Sequence, residues 1–365
     1  LGTSRQHLFY KVALPLARPA IAVGLSLALM EALNDIGASE FLGIKTLTVS
    51  VYTTWITKSD LPGAAQIALI MLFVVVLLVW LERYARRRQS YAVSAQRYRV
   101  MEPFRLTGMK AWTVTAVVFV PVLIGFIAPF TYIANEAWAR FSFAGLSKTF
   151  VNEAISTITF ASVATALTVL FGLLVAFCLR FVGGKWSMTA FRVSSIGYAA
   201  PGTIVAIGVL IVLGAFDRNL DALSRQWLSI STGLLMIGSG AALIYAYCVR
   251  FLTISAGGID AGLGRVPQSF DNAARMLGRT PVTAIRDVHL PLSKQAIVAA
   301  SLLVFVDCVK ELPATLLLRP LNFETFATHL YGEAARGTYE EASIAALAIV
   351  LIAMVPVMLL GRVKY

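Results

Sequence analysis

The chain has 365 residues, 58% of them hydrophobic and 14% charged, with a formal net charge of +12 and a mean hydropathy of +0.77. Soluble domains carry roughly 45–50% apolar and about 25% charged residues, so the composition excludes a water-solvated globule and points to lipid as the solvent. The positive excess fits loops on one membrane face, and no aromatic-interleaved basic surface for nucleic acid is present.

A membrane helix needs about 20 mostly apolar residues. Eight segments qualify in chain order: 19–36, 64–81, 112–133, 154–179, 193–213, 232–251, 296–317 and 342–360. Backbone groups in lipid must bond internally, so the fold class expected is all-α, a polytopic membrane helical bundle. Pro121, Pro129 and Pro201 are expected to kink their spans. Cys178, Cys248 and Cys308 lie far apart in apolar runs, and His7, His289 and His329 are scattered. Neither a disulfide framework nor a metal site is indicated. Gly183-Gly184-Lys185-Trp186 lacks the spacing and the Ser/Thr of a P-loop. No catalytic constellation and no cofactor motif is found.

Alternate loops divide Lys and Arg unevenly. One side, counting Arg250 with it, takes 22; the other takes 8; Lys310 falls inside a span. The positive-inside rule then places both ends of the chain in the cytoplasm. Segment 82–111 is polar and basic and reads as a cytoplasmic linker. It separates residues 1–81 from residues 112–365.

An internal repeat organises the rest. Residues 1–40 align without gaps to 277–316. Gly2, Leu14, Pro15, Leu16, Ala20, Ile21 and Ala38 recur as Gly278, Leu290, Pro291, Leu292, Ala296, Ile297 and Ala314, and Glu31 and Asp35 face Asp307 and Glu311. Both copies enter the membrane in the same direction, which makes the repeat parallel. Four spans precede the second copy and none precedes the first. The expectation is therefore a twelve-helix protein of two halves, of which this chain holds the last two spans of one half and six of the other. Such a piece is expected not to transport alone.

The loop 253–295 between two spans reads as a short amphipathic helical hairpin. Phe270, Ala274 and Leu277 form an i, i+4, i+7 apolar stripe, Gly278 is a helix stop, and Thr280-Pro281 starts a second turn. Leu290-Pro291 is expected to end that second helix before the next span. With Asn272-Ala273-Ala274, Gly278 and Leu290-Pro291, the segment resembles the cytoplasmic loop of type I permeases of binding-protein-dependent ABC importers, whose pattern is EAA, Gly, then Leu-Pro. The first copy retains Gly2 and Leu14-Pro15. Asn272 departs from the usual Glu, although Asp271 stands beside it. The resemblance implies a coupling helix that docks on a dimer of separate ABC ATPase subunits. It also implies a periplasmic substrate-binding protein as partner and the bacterial inner membrane as location.

Asp307, Lys310 and Glu311 fall on one helical face, and the first copy carries Glu31 and Asp35. Ionised groups at mid-membrane face a wet cavity or one another. These five are expected to line the translocation path, the alternative being a paired lock between helices without substrate contact. The strings from Glu31 to Trp55 and from Glu311 to Tyr331 are similar to the ferric iron branch of the family; thiamine, sulfate, polyamines and phosphonates are the cargoes of its relatives. An ion-coupled secondary transporter would instead use these acids as proton carriers without an ATPase. A membrane enzyme would need convergent nucleophiles or metal ligands.

Overall fold

The computed structural model describes residues 4–41, 43–86 and 106–362. Gly2 and most of the linker 82–111 lie outside the described residues. Among those residues every regular element is helical, the arrangement that satisfies backbone groups without water.

A helical turn at Arg5–Leu8 passes through a π-helical turn, Phe9–Ala13, into α1 (Leu14–Asn34). Two short helices, α2 (Gly37–Phe41) and α3 (Leu47–Tyr52), precede α4 (Leu61–Arg86). Then come α5 (Met109–Ala144) and α6 (Phe150–Val182), each continuous through a π-helical turn. They are followed by α7 (Gly184–Ser194), α8 (Gly202–Leu228) and α9 (Ala241–Leu263). The loop helices α10 (Gln268–Met276) and α11 (Pro281–Ala284) lead through a π-helical turn, Ile285–His289, into α12 (Leu290–Lys310). The chain closes with α13 (Pro313–Leu318), α14 (Phe326–Arg336) and α15 (Tyr339–Arg362).

Seven helices among the described residues are long and apolar enough to cross a membrane: α4, α5, α6, α8, α9, the continuous stretch Pro281–Lys310, and α15. The eighth expected segment, 19–36, is helical within α1 as far as Asn34 but is not one of the seven.

Three local expectations are corrected. Segment 232–251 is displaced, because residues before Ala241 are held in a turn by two carboxylates. Asp217 accepts the amides of Met236 and Ile237 at 3.0 and 3.1 Å, and Asp221 those of Thr232 and Gly233 at 2.8 and 3.1 Å. Helix α9 therefore starts later and runs to Leu263, so Arg250 lies well inside the helix rather than at the end of a span beside a loop, and segment 253–295 begins helical. Pro201 does not kink a span. It precedes α8 with φ −53° and ψ 145°, where a missing N–H costs nothing. Leu290-Pro291 does not end a helix either. Leu290 N–H bonds to Ile285 O, five residues back, and the widened turn absorbs the proline so that α12 continues.

The repeat holds in the backbone. Leu14 N–H bonds to Phe9 O in the same π geometry as its counterpart Leu290. Helix α1 breaks at Asp35 (φ −72°, ψ 125°) and α12 at Glu311 (φ −66°, ψ 118°). A short helix follows each break, and Thr46 and Thr325 then cap α3 and α14 through their side chains. Tyr52 and Tyr331, which share a position in this scheme, pack edge to face across the repeat interface with centroids 5.5 Å apart.

Small residues let the helices approach. Helix α6 buries Thr157, Ala161, Ala164, Thr168, Gly172 and Ala176 along one stripe, and Gly172 is backed by Ser255 and Ala256 of α9. On α9, Gly258 and Gly262 lie against Ala300 and Ala296 of α12, a small-xxx-small crossing. Helix α14 is pinned to α6 by Phe326 N–H to Thr157 Oγ1 at 3.0 Å and by His329 Nδ1 to Glu153 Oε1 at 3.1 Å.

Gly262→Leu, whose side chain must enter the space of Ala296, is expected to destabilise the detergent-solubilised protein by about 1–3 kcal/mol in thermal unfolding. Gly257→Ala, which meets no atom within 4 Å inside a helix, should not destabilise it. The hydrogen bond from His329 to Glu153 holds the imidazole pKa above its ordinary value, with Glu333 and Glu324 adding to the effect. Its stabilisation is thus complete below about pH 6.5, the free value, and fades as pH rises through the higher folded value. Unfolding temperatures measured across that range should fall for the native chain and stay flat for His329→Gln.

Candidate functional site

The two backbone breaks define the centre of the molecule. A helix that stops inside a bundle exposes orphan carbonyls, and the helix that starts after it exposes orphan amides. Asp35 accepts the amide of Ser39 at 3.1 Å and that of Ala38 at 3.4 Å. Glu311 Oε1 accepts the amide of Ala314 at 3.1 Å. Each acid therefore caps the short helix behind its own break, where negative charge meets the positive helix end.

Glu311 is buried and does more. Its Oε1 receives Arg250 Nη1 at 2.6 Å, an ion pair whose side chains are 6% and 4% exposed. Gly202 makes room for it: a methyl group there would collide with both the guanidinium and the carboxylate. The Gly202 amide is itself held by Asn34 Oδ1 at 2.8 Å, so the break in the first repeat is tied to the start of α8.

A second charged group lies beside this pair. Lys310 Nζ is 3.0 Å from Asp307 and 3.6 Å from Glu31. Asp307 and Glu31 occupy equivalent repeat positions, and Lys310 joins them across the interface. Glu31, Asp35, Asp307, Lys310 and Glu311 all line one cavity of about 370 Å³, together with Asn34, Tyr198 and Arg250. The cavity thus gathers the five residues singled out from sequence, with one correction. Glu311 does not share the helical face of Asp307 and Lys310, because the chain is extended there and turns its carboxylate toward α9. Sequence reasoning missed Arg250. The available signal was an arginine with apolar runs on both sides, which in a membrane demands a buried acid.

At the other end of α12 the loop residues separate into two groups. Ala274 is buried, whereas Phe270, Met276, Leu277 and Val282 are exposed, the last three at 90%, 80% and 74%. The proposed stripe is therefore split: Ala274 faces the bundle and Leu277 faces away. Asn272 and Ala273 are also exposed. Gly278 adopts φ +73°, and Arg279 N–H reaches back to Ala274 O at 3.0 Å, a left-handed stop of the kind glycine permits. Thr280 caps the next turn by accepting from Thr283 N–H. Leu290 and Pro291 directly follow the π-helical turn and open α12, as Leu14 and Pro15 open α1 in the first copy.

Removing one partner of the central pair, by Arg250→Met or Glu311→Ala, is expected to cost about 3–5 kcal/mol because the other charge stays buried alone. The double variant should lose clearly less than the sum. Thermal unfolding of the three variants checks this; strict additivity would refute it.

Residues 1–91 and 168–363 match the family described as "Binding-protein-dependent transport system inner membrane component". The chain is similar to the ferric transport system permease protein FbpB of Actinobacillus pleuropneumoniae, with 26% identity over 98% of this chain and 52% of the relative. It is also similar to the Fe(3+)-transport system permease protein FbpB 2 of Haemophilus influenzae, with 22% identity over 100% of this chain and 70% of that protein. A putative 2-aminoethylphosphonate transport system permease protein, PhnV, of Salmonella paratyphi A is 24% identical over 57% of this chain and 73% of its own length. The chain spans about half the length of the Actinobacillus relative. Among solved structures, a bacterial ABC transporter that imports alginate has the same fold over 69% of this chain and 95% of its own, with a TM-score of 0.54 and 14% identity. Repeated helices broken at capped acids and a loop helix with outward apolar residues accompany the family match across most of the chain, and this chain belongs to the binding-protein-dependent transport system inner membrane components.

Proposed function

We propose that the chain forms part of the membrane-spanning permease of an ATP-driven importer and that its cargo is ferric iron handed over by a periplasmic binding protein. In this reading ATP is hydrolysed on separate subunits that dock on Phe270, Met276, Leu277 and Val282, and both ends of the chain face the cytoplasm. The cavity at the repeat interface is the path. The observation that carries the cargo assignment is the charge of that cavity, which places four carboxylates, Glu31, Asp35, Asp307 and Glu311, against two cations, Lys310 and Arg250. A net negative lining in a low-dielectric setting favours a cation and repels an anion. That favours iron, carried in the names of the FbpB relatives, over the aminoethylphosphonate in the name of PhnV.

Mechanistically, the path residues do three things. Asp35 and Glu311 hold the broken helices in place, so the wall of the cavity is built from helix ends rather than from an unbroken barrel. Arg250 neutralises Glu311 and keeps it from binding cargo. Glu31 and Asp307, one from each repeat and bridged by Lys310, remain to meet a passing cation. No tight cage is needed where the cargo must leave again.

The test is radio-iron uptake by vesicles holding the full-length permease, its ATPase subunits and its binding protein, with and without ATP. ATP-dependent ferric uptake, reduced about tenfold or more by Asp307→Asn or Leu277→Asp in an assembled complex, is the result expected. Uptake of 2-aminoethylphosphonate but not iron would discard the cargo. Uptake without ATPase subunits would replace the ATP-driven reading by an ion-coupled one.

A further inference from the structure

The exposed loop helix α10 is held to the bundle by very little apolar surface. Of its residues only Ala274 is buried. One turn before Ala274, and also turned inward, is Asp271, and it is the centre of a polar cluster. Arg180, in the π-helical turn that ends α6, gives Asp271 Oδ2 two hydrogen bonds, from Nη2 at 2.8 Å and from Nε at 3.2 Å. The same guanidinium donates Nη1 to Leu263 O at 2.5 Å and Nη2 to Val266 O at 2.9 Å, closing the C-terminal end of α9. His289, completely buried and immediately ahead of α12, places Nε2 2.6 Å from Asp271 Oδ1, a close contact without hydrogen-bond geometry, with the ring of Phe181 edge-on at 5.1 Å. Three side chains thus join four elements: α6, the end of α9, α10 and the start of α12.

Those elements matter because of what lies at their other ends. Helix α9 carries Arg250, and α12 runs from Leu290 without interruption to Asp307 and Lys310, with Glu311 at its break. At 1.5 Å per residue, α12 is a rod about 30 Å long with the cluster at one end and the cavity at the other. An Arg–carboxylate fork fixes direction as well as distance. These contacts give a displacement of α10 a route to both α9 and α12.

We propose that Arg180, Asp271 and His289 are positioning residues for coupling, forming the joint through which movement of α10 reaches the two helices that shape the cavity. The proposal rests on the import reading above but is independent of which cargo is carried. It also gives Asp271 a role distinct from that of Asn272 beside it, which points outward.

The experiment uses the full-length permease with its ATPase subunits and binding protein in lipid vesicles, comparing Arg180→Lys, Asp271→Asn and His289→Gln. The expected result is that ATP hydrolysis persists while cargo moved per ATP falls about tenfold. The Arg180→Lys/Asp271→Asn double variant should be no worse than the poorer single one. Unchanged cargo per ATP in the assembled variants would overturn the proposal. So would uptake and hydrolysis falling in proportion, because that is the signature of a structural or docking defect. If Asp271→Asn does not assemble, Arg180→Lys decides alone, with spin labels at the exposed positions Leu167 and Leu303. The ATP-driven change in their separation should vanish while hydrolysis continues, and its persistence would refute the joint. An unsubstituted complex with no ATP-dependent uptake of any cargo would sink the import reading, and the joint with it.

Discussion

Glu311 leaves the end of α12 on extended backbone and satisfies two kinds of orphan at once. It caps the helix that restarts after the break, and it neutralises a buried arginine. Without that carboxylate the break would expose amides, and Arg250 would be an uncompensated charge inside α9. The cavity exists because a helix can stop there. The rest of the centre follows from this constraint: Gly202 must lack a side chain, α8 must begin where it does, and Lys310 is left at the helix end, free to reach across to Glu31.

The same device is used twice, but the copies are not equal. Asp35 caps its short helix as Glu311 does, and Asn34 occupies the place of Lys310. The first copy thus contributes a neutral amide that binds the Gly202 backbone, while the second contributes an ammonium that bridges to the opposite repeat. Near-symmetry of the backbone with asymmetry of charge yields a lining of net negative sign whose buried pair is locked and whose other acids remain in contact with the cavity.

The packing that supports this centre relies on small residues more than on large ones. Lipid tails compete well with Leu for contact, so close backbone approach and a few fixed polar bonds carry helix association. Gly258 and Gly262 against Ala300 and Ala296 bring α9 and α12 together, and these two helices carry the central ion pair at one level and abut the Arg180 cluster at another. The central cavity and the exposed loop helix thus share the same two helices.

Much of this was legible from residue order. Long apolar runs in a solvent without hydrogen bonds admit little besides helices. The gapless repeat paired Asp35 with Glu311 and Leu14-Pro15 with Leu290-Pro291, although the apolar run 296–317 gave no sign that the helix stops at Lys310. Gly278 and Thr280 announced a stop and a start because their chemistry is local. What residue order could not decide was anything whose partner lies far along the chain. Arg250 reads as the edge of a span until Glu311, 61 positions later, is found to be its counter-ion. Segment 232–251 reads as a span until Asp217 and Asp221 are seen to fold its first part into a turn. The inward side of α10 was invisible for the same reason, because Arg180 and His289 flank Asp271 at distances of 91 and 18 positions. Periodicity and hydropathy report on a residue and its neighbours in the chain. Which charge is neutralised, and therefore which charge can sit in the membrane at all, is settled only when the helices pack.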